Sequence, residues 1–478
     1  MTTKEYIQLH RKDDVYKLAL TKAPEGVDLQ YALQQIAAYQ TIEKKIPSWA
    51  ECNDLIFPQK LSLEQSSSEL TAQLKAALIK EFMGGEGFTH IDLTGGMGID
   101  CYFIAQNASA SHYVEQNEEL CSIAQHNFAH LNPNIMVHNT TAEEFLNQMT
   151  DVRCQSTDNR VQMTDDRVQM TDDKTDTACR VPTLPTPYSL LIYLDPARRG
   201  NHGEKLVSIS DCQPDVVALL PQMFELTDKV VVKLSPMLDI TRAINELEHI
   251  EHLYVISVGN ECKELLLFIN REYSGETQIH AVNLKQSTDD RVQMTDKSSL
   301  ITPHFFASLK DSCNAQHNEQ APSAFAYSKN SSLLIPHSSL LTGTLSHEAA
   351  LAIPYATEVG RYLYEPYAAH LKSGLYKTMA EVYGVGKLHQ HSHLYTSDEL
   401  NTDFPGRQFS VTQVVPFNKK SIKSFFKEHP KANLTTRNFP LTVSQLRTQY
   451  KIKEGGELYI FATTLRDDSL VLVLCEKA

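Results

Sequence analysis

Two short stretches carry reactive residue types at what read as strand ends. "LIYLDPARRG" (Leu191–Gly200) is an apolar, β-rich run that stops in Asp195, Pro196 and Arg198. An acid in that place can accept a proton or a hydrogen bond, and Pro196 fixes the backbone so that carbonyls point one way. "HIDLTGGMGID" (His90–Asp100) turns from a strand into a helix through Gly95, Gly96 and Gly98. Open α/β sheets bind ligands at the carboxyl ends of their strands, and glycines allow a tight turn with close backbone approach. The spacing is D-x-T-x-G-x-G from Asp92 and Thr94, not the G-x-G-x-x-G of dinucleotide sites. It suits a ligand with an adenosine and an amino-acid tail and no pyrophosphate, whose amine Asp92 or Asp100 can meet. "YVEQN" ends the next strand in Glu115, where an acid takes both ribose hydroxyls. "VVVKLSPM" delivers Lys233, which with Arg198 can bind a phosphate or polarise a carbonyl oxygen.

These residues need a sheet to hold them, and the texture from Phe88 onward supplies one. Strand and helix patterns alternate: "FTHIDLT", "IDCYFIAQNA", "SHYVEQ", "EELCSIAQHNFAHL", "IMVHN", "AEEFLNQM", "YSLLIYLD", "PDVVALLPQMFELT", "KVVVKLS", "DITRAINELEHI". Buried β-branched strands between helices indicate a doubly wound, mostly parallel α/β sheet. "HLYVISVGNECKELLLFI" closes it with an antiparallel hairpin around Gly259-Asn260. Before the sheet, residues 1–85 read as a helical region. The unit D-[DN]-R-V-Q-M-T recurs near Gln155 and Gln286; these polar segments lack an apolar face and are expected to loop out of the fold. The expected organisation is a helical region at 1–85 and a sheet domain at 86–273, with an insert at about 155–187. A linker or small subdomain at 274–345 carries the second insert at about 286–297. A helical connector at 346–404 and a compact α+β module at 405–478 follow.

The 478 residues carry a net charge of −14, which argues against blanket binding to a polyanion. The average hides a basic window, Arg407–Lys453, with ten Lys/Arg and one acid, Glu428. Lys419, Lys420, Lys423 and Arg437 within it are candidate nucleic-acid contacts. Nine cysteines without a CxxC pair or a His/Cys cluster at zinc spacing argue against a disulfide framework and a structural zinc site. "HQHSH" (His389–His393) alternates without further ligands, so no metal is expected. No apolar run is long enough to span a bilayer, and the expected compartment is the cytoplasm.

Taken together, "DLTGGMGID", Glu115, "LDPARRG" and the terminal hairpin resemble a class I S-adenosylmethionine-dependent methyltransferase, which has a Rossmann-like sheet. "LSLEQSSSELTAQLKA", "VVKLSPMLDI", "NECKELLLF", "RYLYEP", "SHLYTSDELNTDFPGRQF" and "YKIKEGGELYIFATTL" narrow the resemblance to the bacterial family with a C-terminal THUMP-like domain. The resemblance implies a helical N-terminal region, a small ferredoxin-like segment and a THUMP-like α+β end. It also implies S-adenosylmethionine as cofactor and, because THUMP domains occur in RNA-modifying enzymes, tRNA or rRNA as substrate. It places Asp195 beside the transferable methyl group for an in-line transfer, and Ser67 and Glu69 near the methionine end of the cofactor. Thr94 replaces the usual first glycine. The third strand ends in "HNTTAEEF", so a side-chain oxygen of Asn139 or Thr141, together with the Ala142 N–H, stands where an Asp would contact adenine.

The same residues narrow the acceptor. Ala197-Arg198 lacks the aromatic that stacks on the base in exocyclic-amine methyltransferases. D-P-x-R resembles the uridine C5 enzymes, but "KLSPM" lacks their cysteine nucleophile. Two alternatives remain open at this point: methylation of a small molecule or protein, and a non-catalytic cofactor-binding, RNA-binding protein.

Overall fold

A computed structural model describes residues 1–58, 60–131, 134–161, 189–198, 209–284 and 339–478. The chain divides into two compact units: Met1–Glu251 with Leu266–Gly275, and His252–Leu265 with Glu276–Ala478.

The first unit begins with six helices: α1 (Thr3–His10), α2 (Val15–Ala19), α3 (Leu29–Lys45), α4 (Pro47–Ala50), α5 (Lys60–Gln65) and α6 (Glu69–Phe82). Their starts follow the local chemistry. Thr2 closes a capping box with Glu5, Asp28 caps α3, Pro47 opens α4 and Ser68 caps α6. Then β1 (Phe88–Asp92), α7 (Ile99–Ala105), β2 (Ala108–Glu115), α8 (Glu118–Leu131), β3 (Ile135–Asn139), α9 (Ala142–Val161) and β4 (Leu190–Leu194) alternate. A two-stranded ribbon, β5 (Ala197–Arg198) with β6 (Cys212–Gln213), precedes α10 (Val216–Leu226), β7 (Lys229–Leu234) and α11 (Ile240–Glu246). The strands lie in the order β7-β4-β1-β2-β3 and are all parallel. Every residue of β4 is buried, as a strand covered on both faces requires. The carboxyl ends of β1, β2, β4 and β7 therefore deliver Asp92, Glu115, Asp195 and Lys233 to one edge of the sheet.

The hairpin expected at Gly259-Asn260 is present, between β8 (Ile250–Val258) and β9 (Glu261–Asn270). Gly259 and Asn260 have φ of 58° and 67°, the two left-handed residues of a tight hairpin turn. The boundary between the units falls within it. Strands continue beyond it: β10 (Gln278–Leu284) pairs parallel with β8 and antiparallel with β11 (Ser339–Gly343).

The second unit also holds a seven-stranded sheet: β12 (Tyr362–Pro366), β13 (Gly386–Lys387), β14 (Tyr395–Ser397), β15 (Gly406–Pro416), β16 (Asn433–Arg437), β17 (Tyr459–Thr464) and β18 (Leu470–Lys477). Its order is β13-β14-β12-β15-β18-β17-β16. Only β16–β17 is parallel among its pairs. Residues 346–404 are thus not a helical connector. They contribute β12, β13 and β14 together with the helices Leu345–Ala350, Ala368–Ser373 and Tyr376–Tyr383. β12 is stitched antiparallel to β15, and the buried Tyr364 and Tyr395 give these short strands their core contacts. The first insert also begins later than expected, because α9 continues through Val161; 162–188 and the second repeat lie outside the described residues.

The elements from Gly406 to the end match the expected α+β module. Asn418 caps the helix Lys419–Glu428, which turns Ile422, Phe425 and Phe426 into a core with Leu446, Ile460 and Leu472. One buried acid ties this module to β12. The Glu365 carboxylate accepts hydrogen bonds from Arg407 Nε at 2.7 Å and Arg437 Nη2 at 2.8 Å.

Replacing Glu365 with Ala leaves two guanidinium groups without their carboxylate. The expected cost is about 2 kcal/mol, the range for hydrogen bonds to charged groups. Amide exchange across β12 and β15, followed by mass spectrometry, should accelerate accordingly. Unchanged protection would show that the triad contributes nothing to local stability.

Candidate functional site

A cavity of about 310 Å³ opens in the first unit at the carboxyl ends of the parallel strands. The glycine loop Asp92–Gly98 forms one wall. Glu115, Thr141 and Ala142 form another, and Asp195, Lys233 and Tyr193 a third. Ser67 and Asp100 complete the lining expected from the sequence.

Packing explains two of the loop glycines. A Cβ on Gly95 would lie 2.1 Å from the Tyr113 ring, and one on Gly98, at φ +78°, 2.4 Å from the Phe128 ring. The close approach they permit is therefore to β2 and α8, rather than to a ligand. Gly96, at φ +53°, has nothing closer to such a Cβ than Thr94 O at 3.9 Å. Its N–H donates to Glu115 Oε2 at 3.0 Å, and Asn117 N–H donates to Glu115 Oε1 at 2.9 Å. Each carboxylate oxygen keeps a lone pair for a further donor, as a vicinal diol requires.

Thr94, in place of the usual glycine, joins two strand ends. Its N–H donates to Asp92 Oδ1 at 3.0 Å, and its Oγ1 accepts from the Asp195 N–H at 2.6 Å. Asp92 is fully buried and, among the described residues, has no cation beside it. Burial pushes its carboxyl well above the usual carboxylate range. The Thr94 N–H works against this, and the nearby Asp100, Asp195 and Glu115 add to it.

Asp100 stands in the opposite electrostatic environment. Burial alone would raise its carboxyl, but Lys75 and Lys233, with hydrogen bonds from Ser67 and Tyr193, hold it down at about 2. Ser67 Oγ and Tyr193 OH donate to Asp100 Oδ2 at 2.8 and 2.9 Å, and Lys75 Nζ lies 3.1 Å from Oδ1. Lys233 Nζ is 2.5 Å from Asp195 Oδ2 and 3.6 Å from Asp100 Oδ2. Asp195 is half exposed at the mouth, whereas Lys75 is fully buried.

Other expected residues take different places. Glu69 accepts from Ser48 N–H at 2.9 Å and Gln73 Nε2 at 3.1 Å, and it does not line the cavity. The Asn139 amide donates to the Glu115 and Gln116 carbonyls, bracing the β2 end from outside the cavity, while Ala142 lines it. Pro196 is buried between β4 and β5. Arg198 closes β5, and its side chain lies outside the described part of the structure. The sequence reading missed Lys75, Tyr193, Gln213 and Pro214. Lys75 carried a signal: it interrupts the apolar stripe of α6 between Ala72 and Ile79.

In the second unit Lys419, Lys420 and Lys423 are exposed on one helix. Arg437, expected to join them, is instead bound to Glu365. "HQHSH" gathers no metal-ligand cluster among the described residues. His389 meets Asn438 and Asp468, and His393 stacks on Tyr376.

Asp92 ties stability to pH with a fixed sign. Its proton is held in the folded chain and released on unfolding, so its effect on stability is favourable below about pH 4 and is lost as pH rises. Asp92→Asn mimics the protonated acid. The variant should melt several degrees above the parent at pH 8, and the gap should close towards pH 4. A melting temperature at or below the parent's at pH 8 would contradict the burial argument.

Residues 362–405 match the family model described as a ferredoxin-like domain, and residues 406–477 that described as THUMP domain-like. A comparison with curated proteins gives no match. Among solved structures, the chain is similar to a "putative methyltransferase from Porphyromonas gingivalis W83", with 28% identity and a TM-score of 0.72, covering 100% of this chain and 97% of that one. It is also similar to a "putative RNA methyltransferase PH1948 from Pyrococcus horikoshii" at 12% identity and TM-score 0.28, over 46% and 93% of the two chains. For an O-methyltransferase from Bacillus cereus the values are 12% and 0.27, over 49% and 97%. The chain thus carries a THUMP-like domain at its C-terminal end and shares, over its whole length, the architecture of the P. gingivalis protein.

Proposed function

We propose that the chain is an S-adenosylmethionine-dependent methyltransferase acting on RNA. The observation that carries this is the meeting, in one cavity, of the Asp195–Lys233 pair with the Asp92–Gly98 loop and Glu115. The donor set fits the cofactor: Asp92 is a buried acid in need of a cation, and Glu115 has lone pairs for a ribose diol. Both Ala142 and Ser67 line the cavity, and on this reading Ala142 would lie at the adenine end and Ser67 at the methionine end. When bound, the cofactor supplies a methyl group activated on a sulfonium.

The residues around it align the acceptor and take its hydrogen bond. Asp195 is the acceptor-side acid, Pro196 shapes the backbone beside it, and Lys233 meets an electron-rich oxygen. No cysteine lines the cavity among the described residues, which speaks against covalent activation of a pyrimidine C5. RNA is favoured as acceptor because the THUMP-like module presents Lys419, Lys420 and Lys423 to solvent, without an ion pair among the described residues.

Methyl-labelled cofactor incubated with the full chain and separate RNA, protein and metabolite fractions tests the reading. Label is expected in RNA. Asp195→Ala should reduce transfer at least 100-fold, the lower end for an acid–base group, while calorimetric cofactor affinity stays within a few-fold. Label in the metabolite or protein fraction alone would overturn the RNA assignment.

Changing Lys419, Lys420 and Lys423 together to Gln should reduce the slope of log affinity against log salt by about 2, from about 0.7 per phosphate contact on single strands. An unchanged slope would place the RNA site elsewhere.

A further inference from the structure

Lys75 lies fully buried beneath the cavity without lining it. A buried ammonium is costly unless paired and hydrogen-bonded. Here Ser67 organises the pairing. Its single proton goes to Asp100 Oδ2 at 2.8 Å, and its two lone pairs face Lys75 Nζ at 2.9 Å and Lys233 Nζ at 3.3 Å. The hydroxyl's hydrogen-bonding capacity is filled.

Lys233 stands between two carboxylates, the buried Asp100 at 3.6 Å and the half-exposed Asp195 at 2.5 Å. Attraction is stronger in the less polarisable interior, while water can satisfy Asp195. Asp100 alone would therefore draw the ammonium inward. We propose that Lys75 is a positioning residue: its charge neutralises Asp100, the competing acid, and Lys233 is thereby held against Asp195. Ser67 and Tyr193 fill Asp100 Oδ2, while Oδ1 is ion-paired with Lys75 at 3.1 Å but takes no hydrogen bond among the described residues. The consequence for transfer rests on the methyltransferase reading; the charge arrangement itself does not.

Crystal structures of the full-length, cofactor-free Lys75→Met and Lys75→Met/Asp100→Asn variants test the arrangement directly. In Lys75→Met, Lys233 Nζ should move to within hydrogen-bond distance of Asp100 and leave Asp195. In the double variant, which removes both charges, it should return to Asp195. Methyl transfer into total RNA should fall at least tenfold in Lys75→Met, as a loss in kcat with the cofactor KM within threefold, and recover in the double variant. A merely structural role for Lys75 would give no such recovery. The proposal is overturned if Lys233 stays on Asp195 in Lys75→Met, or if the double variant transfers no better than the single. If Lys233 moves as expected and no fraction takes label from the parent chain, the charge arrangement stands and the methyltransferase reading fails.

Discussion

Lys233 is shared between a buried acid, Asp100, and a half-exposed one, Asp195. Four elements converge on that sharing. β7 brings the lysine, β4 brings Asp195 and Tyr193, α7 brings Asp100, and α6 with the turn before it brings Lys75 and Ser67. The α5–α6 segment is therefore part of the site. The buried part of this group, Lys75, Lys233 and Asp100, tolerates the loss of one charge poorly, because each remaining group keeps its desolvation cost.

The glycine loop depends on the same economy of space. Its backbone sits on the Tyr113 and Phe128 rings, and the Tyr113 hydroxyl donates to Gly96 O at 2.5 Å. Gly96 N–H in turn fixes Glu115. Loop shape and acid position are thus set by one packed cluster of β2 and α8, before any ligand arrives. Asp92 is the exception to this self-sufficiency. It is buried among acids without a cation, an arrangement that costs stability in the free chain and that a cationic ligand would relieve.

Much of the fold was legible because β4 is buried throughout and reads as an unbroken apolar run, and β7 carries the buried triplet Val230, Val231 and Val232. The C-terminal module was legible through its caps and through the inward spacing of Ile422, Phe425 and Phe426. β10 was obscured by His280 and Asn283, which look like surface residues yet are buried against Thr342 and Ser257. β12 and β14 were obscured by brevity, since a five-residue and a three-residue strand acquire meaning only from the partners they pair with. At the site, strand-end residues stood out by type and place. Lys75 did not, because a lysine in an amphipathic helix is read as solvent-facing unless its position in the apolar stripe is weighed.

The basic window sorts itself by residue type. Arg407 and Arg437 are bound to the buried Glu365, and Arg447 lies 3.8 Å from Glu454. What remains on the helix Lys419–Glu428 is lysine, and lysine meets a phosphate as a point charge, without the two-pronged geometry by which arginine reads a guanine edge. Lys419 and Lys420 also stand in the first turn of that helix, where the helix dipole disfavours positive charge. An anion bound there would offset that cost. A polyanion on such a face is positioned and not read. Under the proposed methyltransferase function, discrimination among acceptors would fall to the cavity of the first unit, where Ala197 rather than an aromatic follows Pro196 and Lys233 is positioned to meet an electron-rich oxygen.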